Sequence, residues 1–172
     1  LEQTDARIVI GSRSREKAAA STAALARDFP GGRVDAVAVD ATDESSLRAA
    51  LEGARLLFDC GPTALFTGRT PLACIAAGVD YMEIGYKSSR KGIKVGEHGD
   101  WKYCTEESIR RIVGDNKSAL KLCVMADAER SDYHEDILPK KDSVLDMIRV
   151  ATYIHQIPTA LEMVKDAHDK GY

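Results

Sequence analysis

Six short apolar, largely β-branched runs recur along the chain, most of them followed by a stretch with helical spacing, and this alternation limits the fold more than any other feature. Arg7 to Gly11 (RIVIG) reads as a strand, and Ser14 to Phe29 as a helix with Ala18, Thr22, Leu25, Ala26 and Phe29 three or four apart. Pro30-Gly31-Gly32 stops that helix, because proline cannot continue it and glycine frees the backbone. Val34 to Val39 alternates as a strand does, and Asp43 to Glu52 has Leu47 and Leu51 four apart. The spacing then predicts a strand over Leu56 to Cys60, a helix over Pro71 to Ala77 stopped by Gly78, and a strand over Tyr81 to Gly85. Thr105 to Val113 reads as a helix with Glu106 and Glu107 in its first turn, where the helix dipole favours negative charge. Leu120 to Met125 and Asp146 to Ala151 complete the strands, and a last helix from Gln156 to Lys170 carries an apolar stripe of Ile157, Ala160, Leu161, Val164 and Ala167. Strands separated by helices give an α/β chain, expected as one open parallel sheet of about six strands with helices on both faces. Half of a β/α barrel is the alternative.

Composition removes several functions. The 172 residues carry a net charge of −3 with both signs interspersed, which gives no electrostatic footprint for nucleic acid. No apolar run approaches the ~20 residues of a membrane helix, and Leu1 to Ala6 lacks a signal-peptide core. The expectation is a cytoplasmic chain that binds at most a small molecule, with neither nucleic acid nor membrane as a partner. Cys60, Cys74, Cys104 and Cys123 form no CxxC pair and read as buried free thiols. His98, His134, His155 and His168 form no HxH or HxxxH pair, so local spacing supplies no metal site and a divalent metal is not expected. His98 and His134 read as polar loop residues.

The halves differ in composition. Before Tyr81 there are eight Arg and one Lys; from Tyr81 onward there are ten Lys and five Arg, and every Tyr and Met lies there. This shift suggests a join of two parent sequences near Ala77-Gly78-Val79-Asp80-Tyr81, residues 1–80 and 81–172 then packing as one domain.

The motifs IVIGSRSREK, AVDATDESSLRAALEGARLLFDCGP and PLACIAAGVDY make residues 6–80 resemble the NAD(P)-binding domain of the saccharopine dehydrogenase-like family. The resemblance implies a Rossmann-like unit in which Arg13, helped by Ser12, Ser14 and Arg15, sits beside the adenosine ribose. A guanidinium can grip a dianionic 2′-phosphate bidentately, with a helix N-terminus alongside. By the same resemblance Asp40-Ala41 lies against the adenine, and Cys60-Gly61-Pro62 runs beneath the pyrophosphate and nicotinamide. The family's first strand and glycine-rich turn would precede residue 1, and neither GxGxxG nor GxxGxxG occurs in the chain. Without that strand, the runs at residues 7–11 and 56–60 would flank a gap unless they paired directly, and NADP binding would be weak. Exposed strand edges would favour a homodimer.

GVDYMEIGYKSS, IRRIVGDN, KLCVMAD and DMIRVATYIHQIPTALEMVKDAHDKGY make residues 78–172 resemble part of the (β/α)₈ barrel of the family of 3-hydroxy-3-methylglutaryl-CoA lyase and 4-hydroxy-2-oxovalerate aldolase. The resemblance implies strands two to four of such a barrel, with Glu83 near the catalytic base and Asp127 and Arg149 to Thr152 at the mouth. The family's DxTLRDG and HxH metal motifs are absent. The expectation is a recombined or truncated chain without a complete active site, retaining part of an oxidoreductase's NADP site. The alternative is a metal-dependent lyase or aldolase acting on 2-oxo acids.

Overall fold

The computed structural model describes residues 6–58, 69–91 and 98–172. Strand β1 (Arg7–Ser12) leads into helix α1 (Arg15–Asp28), and β2 (Arg33–Ala38) into α2 (Glu44–Leu51). There follow β3 (Leu56–Phe58), α3 (Arg69–Ala77), β4 (Tyr81–Tyr86), α4 (Glu106–Val113), β5 (Lys121–Asp127), the single-turn α5 (Tyr133–Asp136), β6 (Met147–Ala151) and α6 (Ile157–Asp169). The helices start where side chains can satisfy free backbone N–H groups: Ser14 accepts from Lys17, Asp43 from Ser45, and Thr105 from Ser108. Gly78 and Gly114, at φ 70° and 60°, stop α3 and α4 in a backbone region that side chains disfavour.

All six strands run parallel, as expected, but they do not form one sheet. β1 and β2 make a pair, Arg7 opposite Arg33 through Ser12 opposite Ala38; β3, β4, β5 and β6 make a four-stranded sheet in chain order. The expected sheet of about six strands is therefore corrected to two and four. No ladder joins β1 to β3 among the described residues. The two parts meet through helices instead: α2 lies against α3, and Leu47 and Leu51 share a core with Ala73, Cys74, Met82 and Leu122. Side-chain packing between helices fixes a neighbour without bringing strand backbones to the roughly 4.8 Å that ladder hydrogen bonds require.

One face of the larger sheet carries the core. Leu57, Met82, Ile84, Leu122, Val124 and Ile148 pack into the main cluster, and Ala126 and Val150 continue it into a second cluster with Ile137 and Met163. The other parity sets Tyr81, Glu83, Cys123, Met125, Met147 and Arg149 side by side. β4 slips register between Glu83 and Gly85. At Gly85 a Cβ would lie 2.3 Å from the Trp101 carbonyl oxygen, so the strand and the segment before α4 touch backbone to backbone.

Candidate functional site at the end of the first strand

The ends of β1 and β2 are tied together. The Val39 amide donates to the Ser12 carbonyl at 2.9 Å, which carries the pairing one step beyond the ladder. Ser12 Oγ accepts from the Ser14 amide at 3.3 Å, and Ser14 Oγ from the Lys17 amide at 3.2 Å. The chain turns tightly from strand to helix, and the exposed Arg13 sits at that turn. Arg15 opens α1, so the guanidinium-bearing residues stand at the positive end of the helix dipole. Neither Arg13 nor Arg15 has an ion-pair partner among the described residues.

Asp40 faces the same place from the end of β2. Its Oδ1 accepts from the Thr42 amide at 2.8 Å and the Thr42 hydroxyl at 2.7 Å, and its own amide donates to Ser46 Oγ at 2.9 Å. Those Thr42 bonds, then the positive charges of Arg13 and Arg69, hold the Asp40 carboxyl below its ordinary range. Ala41, beside it, is exposed. The structure thus brings Ser12, Arg13, Ser14, Arg15 and Asp40 to one edge. It adds Arg69, the first residue of α3, which no local motif marks. Gly61, Pro62 and Cys60 lie outside the described residues.

A dianionic phosphate fits this setting. It needs an unpaired guanidinium, small hydroxyl side chains and helix N–H groups, and β1 delivers all three within four residues. Arg13 would hold the 2′-phosphate of NADP, with Ser12 and Ser14 beside it, and Asp40 with Ala41 would bound the adenosine.

Glu83 is engaged differently. Arg149 Nε and one terminal nitrogen donate to its two carboxylate oxygens at 2.5 and 2.6 Å, and the same guanidinium reaches Met125 Sδ at 2.9 Å. A carboxylate held bidentately in this way, one bond on each oxygen, is anchored to its arginine. Among the described residues no group of three His, Cys, Asp or Glu side chains could hold a metal ion. His134 Nδ1 lies 3.1 Å from Asp166, and His155 pairs with Glu129 at 3.7 Å. Cys74, Cys104 and Cys123 are buried free thiols. No described helix is long and apolar enough to cross a membrane. A cavity of about 720 Å³ opens elsewhere, beyond the ends of β4 and β5, between Ser88, Lys102 and Arg130. Sequence reasoning did not find it, because its walls are 14 to 42 residues apart.

A family model described as the saccharopine dehydrogenase NADP binding domain matches residues 1–124. No curated protein sequence matches the chain. The N-terminal domain of a putative aldolase from Bacteroides vulgatus is similar in structure, with a TM-score of 0.53 at 20% identity, over 68% of this chain and 41% of that one. Pen from Bacillus thuringiensis follows at 0.48 and 14% identity, over 73% of this chain and 43% of that one. A short chain dehydrogenase from Mycobacterium smegmatis gives 0.49 and 15% identity, over 86% of this chain and 81% of that one. The chain spans about two fifths of the length of the first two structures. At these identities the likeness concerns the fold. The family match passes residue 80, where the composition changes, and nothing in these comparisons supports a join there or a barrel fragment over residues 78–172. With an α/β architecture of parallel strands and the match covering most of its length, the chain belongs to the saccharopine dehydrogenase NADP-binding domain family.

Proposed function

We propose that this chain carries the adenosine end of an NADP site of an oxidoreductase, with Arg13 selecting NADP over NAD through the 2′-phosphate. The observation that carries the reading is Arg13, without an ion-pair partner among the described residues, at the turn between β1 and the Ser14-capped start of α1, near Asp40 at the strand ends. Ser12 and Ser14 fix the backbone of that turn, so the guanidinium is presented by a rigid strand-to-helix junction and little ordering is required when a ligand arrives. Asp40, kept ionised and bonded to Thr42, repels a misplaced phosphate and leaves the anion to Arg13. When bound, NADP supplies the hydride acceptor or, reduced, the donor.

The residues present form part of such a site. The sequence has no GxGxxG or GxxGxxG turn to let backbone approach the pyrophosphate, so the affinity expected of this chain is modest. One edge each of β1 and β3 is unpaired among the described residues, which supports a homodimer through sheet edges.

The test is calorimetric titration with NADPH and NADH, repeated on Arg13→Ala. The reading expects NADPH to bind more tightly than NADH, and Arg13→Ala to weaken NADPH by roughly tenfold or more while leaving NADH unchanged, the loss of a charge-assisted contact. Equal affinity for both cofactors in the unaltered chain overturns it.

A further inference from the structure

Arg13 is not among the residues that line the cavity beyond β4 and β5, and the cavity's polar groups are not those assigned to the adenosine end. Ser88 lines it, is 4% exposed, and its Oγ has no hydrogen-bond partner among the described residues. A buried hydroxyl with nothing to bond is uncommon and costly, and it marks a place where a ligand atom or water belongs. Two cations share the cavity wall with it, Lys102 from the segment before α4 and Arg130 from the loop after β5. Among the described residues neither has a carboxylate within ion-pair distance.

The acidic groups nearby are occupied or distant. Asp132 and Glu135 both receive Lys91, at 2.5 and 3.0 Å, and Glu129 faces His155. Asp127 accepts from the Glu129 amide at 2.9 Å and attracts Lys102 from beyond ion-pair distance. Lys102 Nζ rests 4.5 Å from the centre of the Tyr86 ring, a contact that positions the ammonium without neutralising it. Partial burial and the like charge of Arg130 lower the Lys102 pKa, so the pair is strained by its own repulsion. The walls are held firmly. The Ser88 amide donates to the Lys102 carbonyl at 3.2 Å, the Ser89 amide to the Arg130 carbonyl at 2.6 Å, and Ser131 Oγ to the Lys87 carbonyl at 2.6 Å.

We propose that this cavity binds the phosphate group of a small phosphorylated molecule, with Ser88 Oγ donating to one oxygen and Lys102 and Arg130 sharing the negative charge. Two cations with no ion-pair partner among the described residues match a dianion, whereas a carboxylate would satisfy one of them. The position also suits a ligand, since in open parallel sheets ligands collect beyond the carboxyl ends of strands. The rest of the molecule would extend into the remaining space, which is large for a phosphate alone.

The test is a titration of the isotope-labelled chain with inorganic phosphate at constant ionic strength, followed by amide NMR. It is run on Arg13→Ala protein so that the first site cannot contribute. Saturable shifts at the amides of residues 88, 102 and 130 are expected, with affinity weakened roughly tenfold by Arg130→Gln and several-fold by Ser88→Ala. Arg130 is exposed, so Arg130→Gln leaves the fold intact and remains informative if Ser88→Ala does not fold. Acetate at the same ionic strength should bind more weakly. Absence of saturation, indifference to Arg130→Gln, or acetate binding as tightly as phosphate overturns the proposal. NADPH binding by Arg130→Gln protein with Arg13 retained should match the unaltered chain, which separates failure of this site from failure of the other.

Discussion

The β1–α1–β2 unit and the four-stranded sheet are built from the same kinds of residue, yet only one of them has an interior. In the first, Ile8, Ile10, Val34 and Ala36 are half-buried, Val9 is 45% exposed, and Ala18 alone is buried. In β5, Leu122, Cys123, Val124 and Ala126 are all fully enclosed. An apolar run becomes core only when a second layer closes over it, and parallel strands ordinarily need cover on both faces. Among the described residues the small unit has one helix and one neighbouring strand, whereas the large sheet shares its core clusters with α2, α3, α4 and α6. The Arg13 turn therefore sits on the less enclosed part of the molecule, and the second cavity on the more enclosed part.

The sharpest way to break this contrast is hydrogen exchange. Amides of β4 and β5 are expected to exchange at least ~100-fold more slowly than those of β1 and β2, since local opening spans the range from fraying to global unfolding. Equal protection would mean a single cooperative unit. Alkaline pH should reverse the order. Burial pushes the Cys104 thiol up to about 12 from its ordinary 9.0. The unfolded chain therefore loses that proton first, and stability is present below about pH 9 and falls as pH rises toward 12. The loss amounts to about 4 kcal/mol, and it strikes the sheet containing β4, since residues 6–58 hold neither Cys nor Tyr. Chemical denaturation across that range should show the slope, and Cys104→Ala should reduce it, the raised Cys123 thiol and the raised Tyr81 and Tyr172 hydroxyls keeping the remainder.

Truncation within each part should also differ. Leu122→Ala, in a site with no exposure, should cost about 3 kcal/mol, and Ile10→Ala about 1 kcal/mol, since its half-buried site leaves less packing to lose. Urea midpoints measure both, and similar values would erase the distinction. Glu83→Gln should have the smallest effect, about 0.5 kcal/mol, because its Arg149 partner is 46% exposed and solvent screens the pair. A loss several times larger would make that pair central to the face of the sheet opposite the main core.

Local structure was legible because its causes are local. The Ser14 cap, the stop at Pro30 and the alternation of Val34 to Val39 all act within a few residues, and each element falls where spacing places it. The division into two sheets was not legible, because it turns on whether β1 and β3, nearly 50 residues apart, share an edge. Arg13 and Asp40 could be named from motifs, but Arg69 joins them only through the fold. Glu83 stood out by its surroundings in sequence, while the arginine that occupies it lies 66 positions away.

Gly85 and Trp101 separate two properties of the second cavity that usually vary together. One wall hangs from the end of β4 and another from the segment carrying Lys102, and these are spaced by backbone resting on backbone, with no room for even a methyl group. Exchange of Lys102 or Arg130 can retune which charges the cavity accepts. Its width has no such adjustable part. A lineage exploring new ligands here would alter the polarity of the opening long before it altered its size.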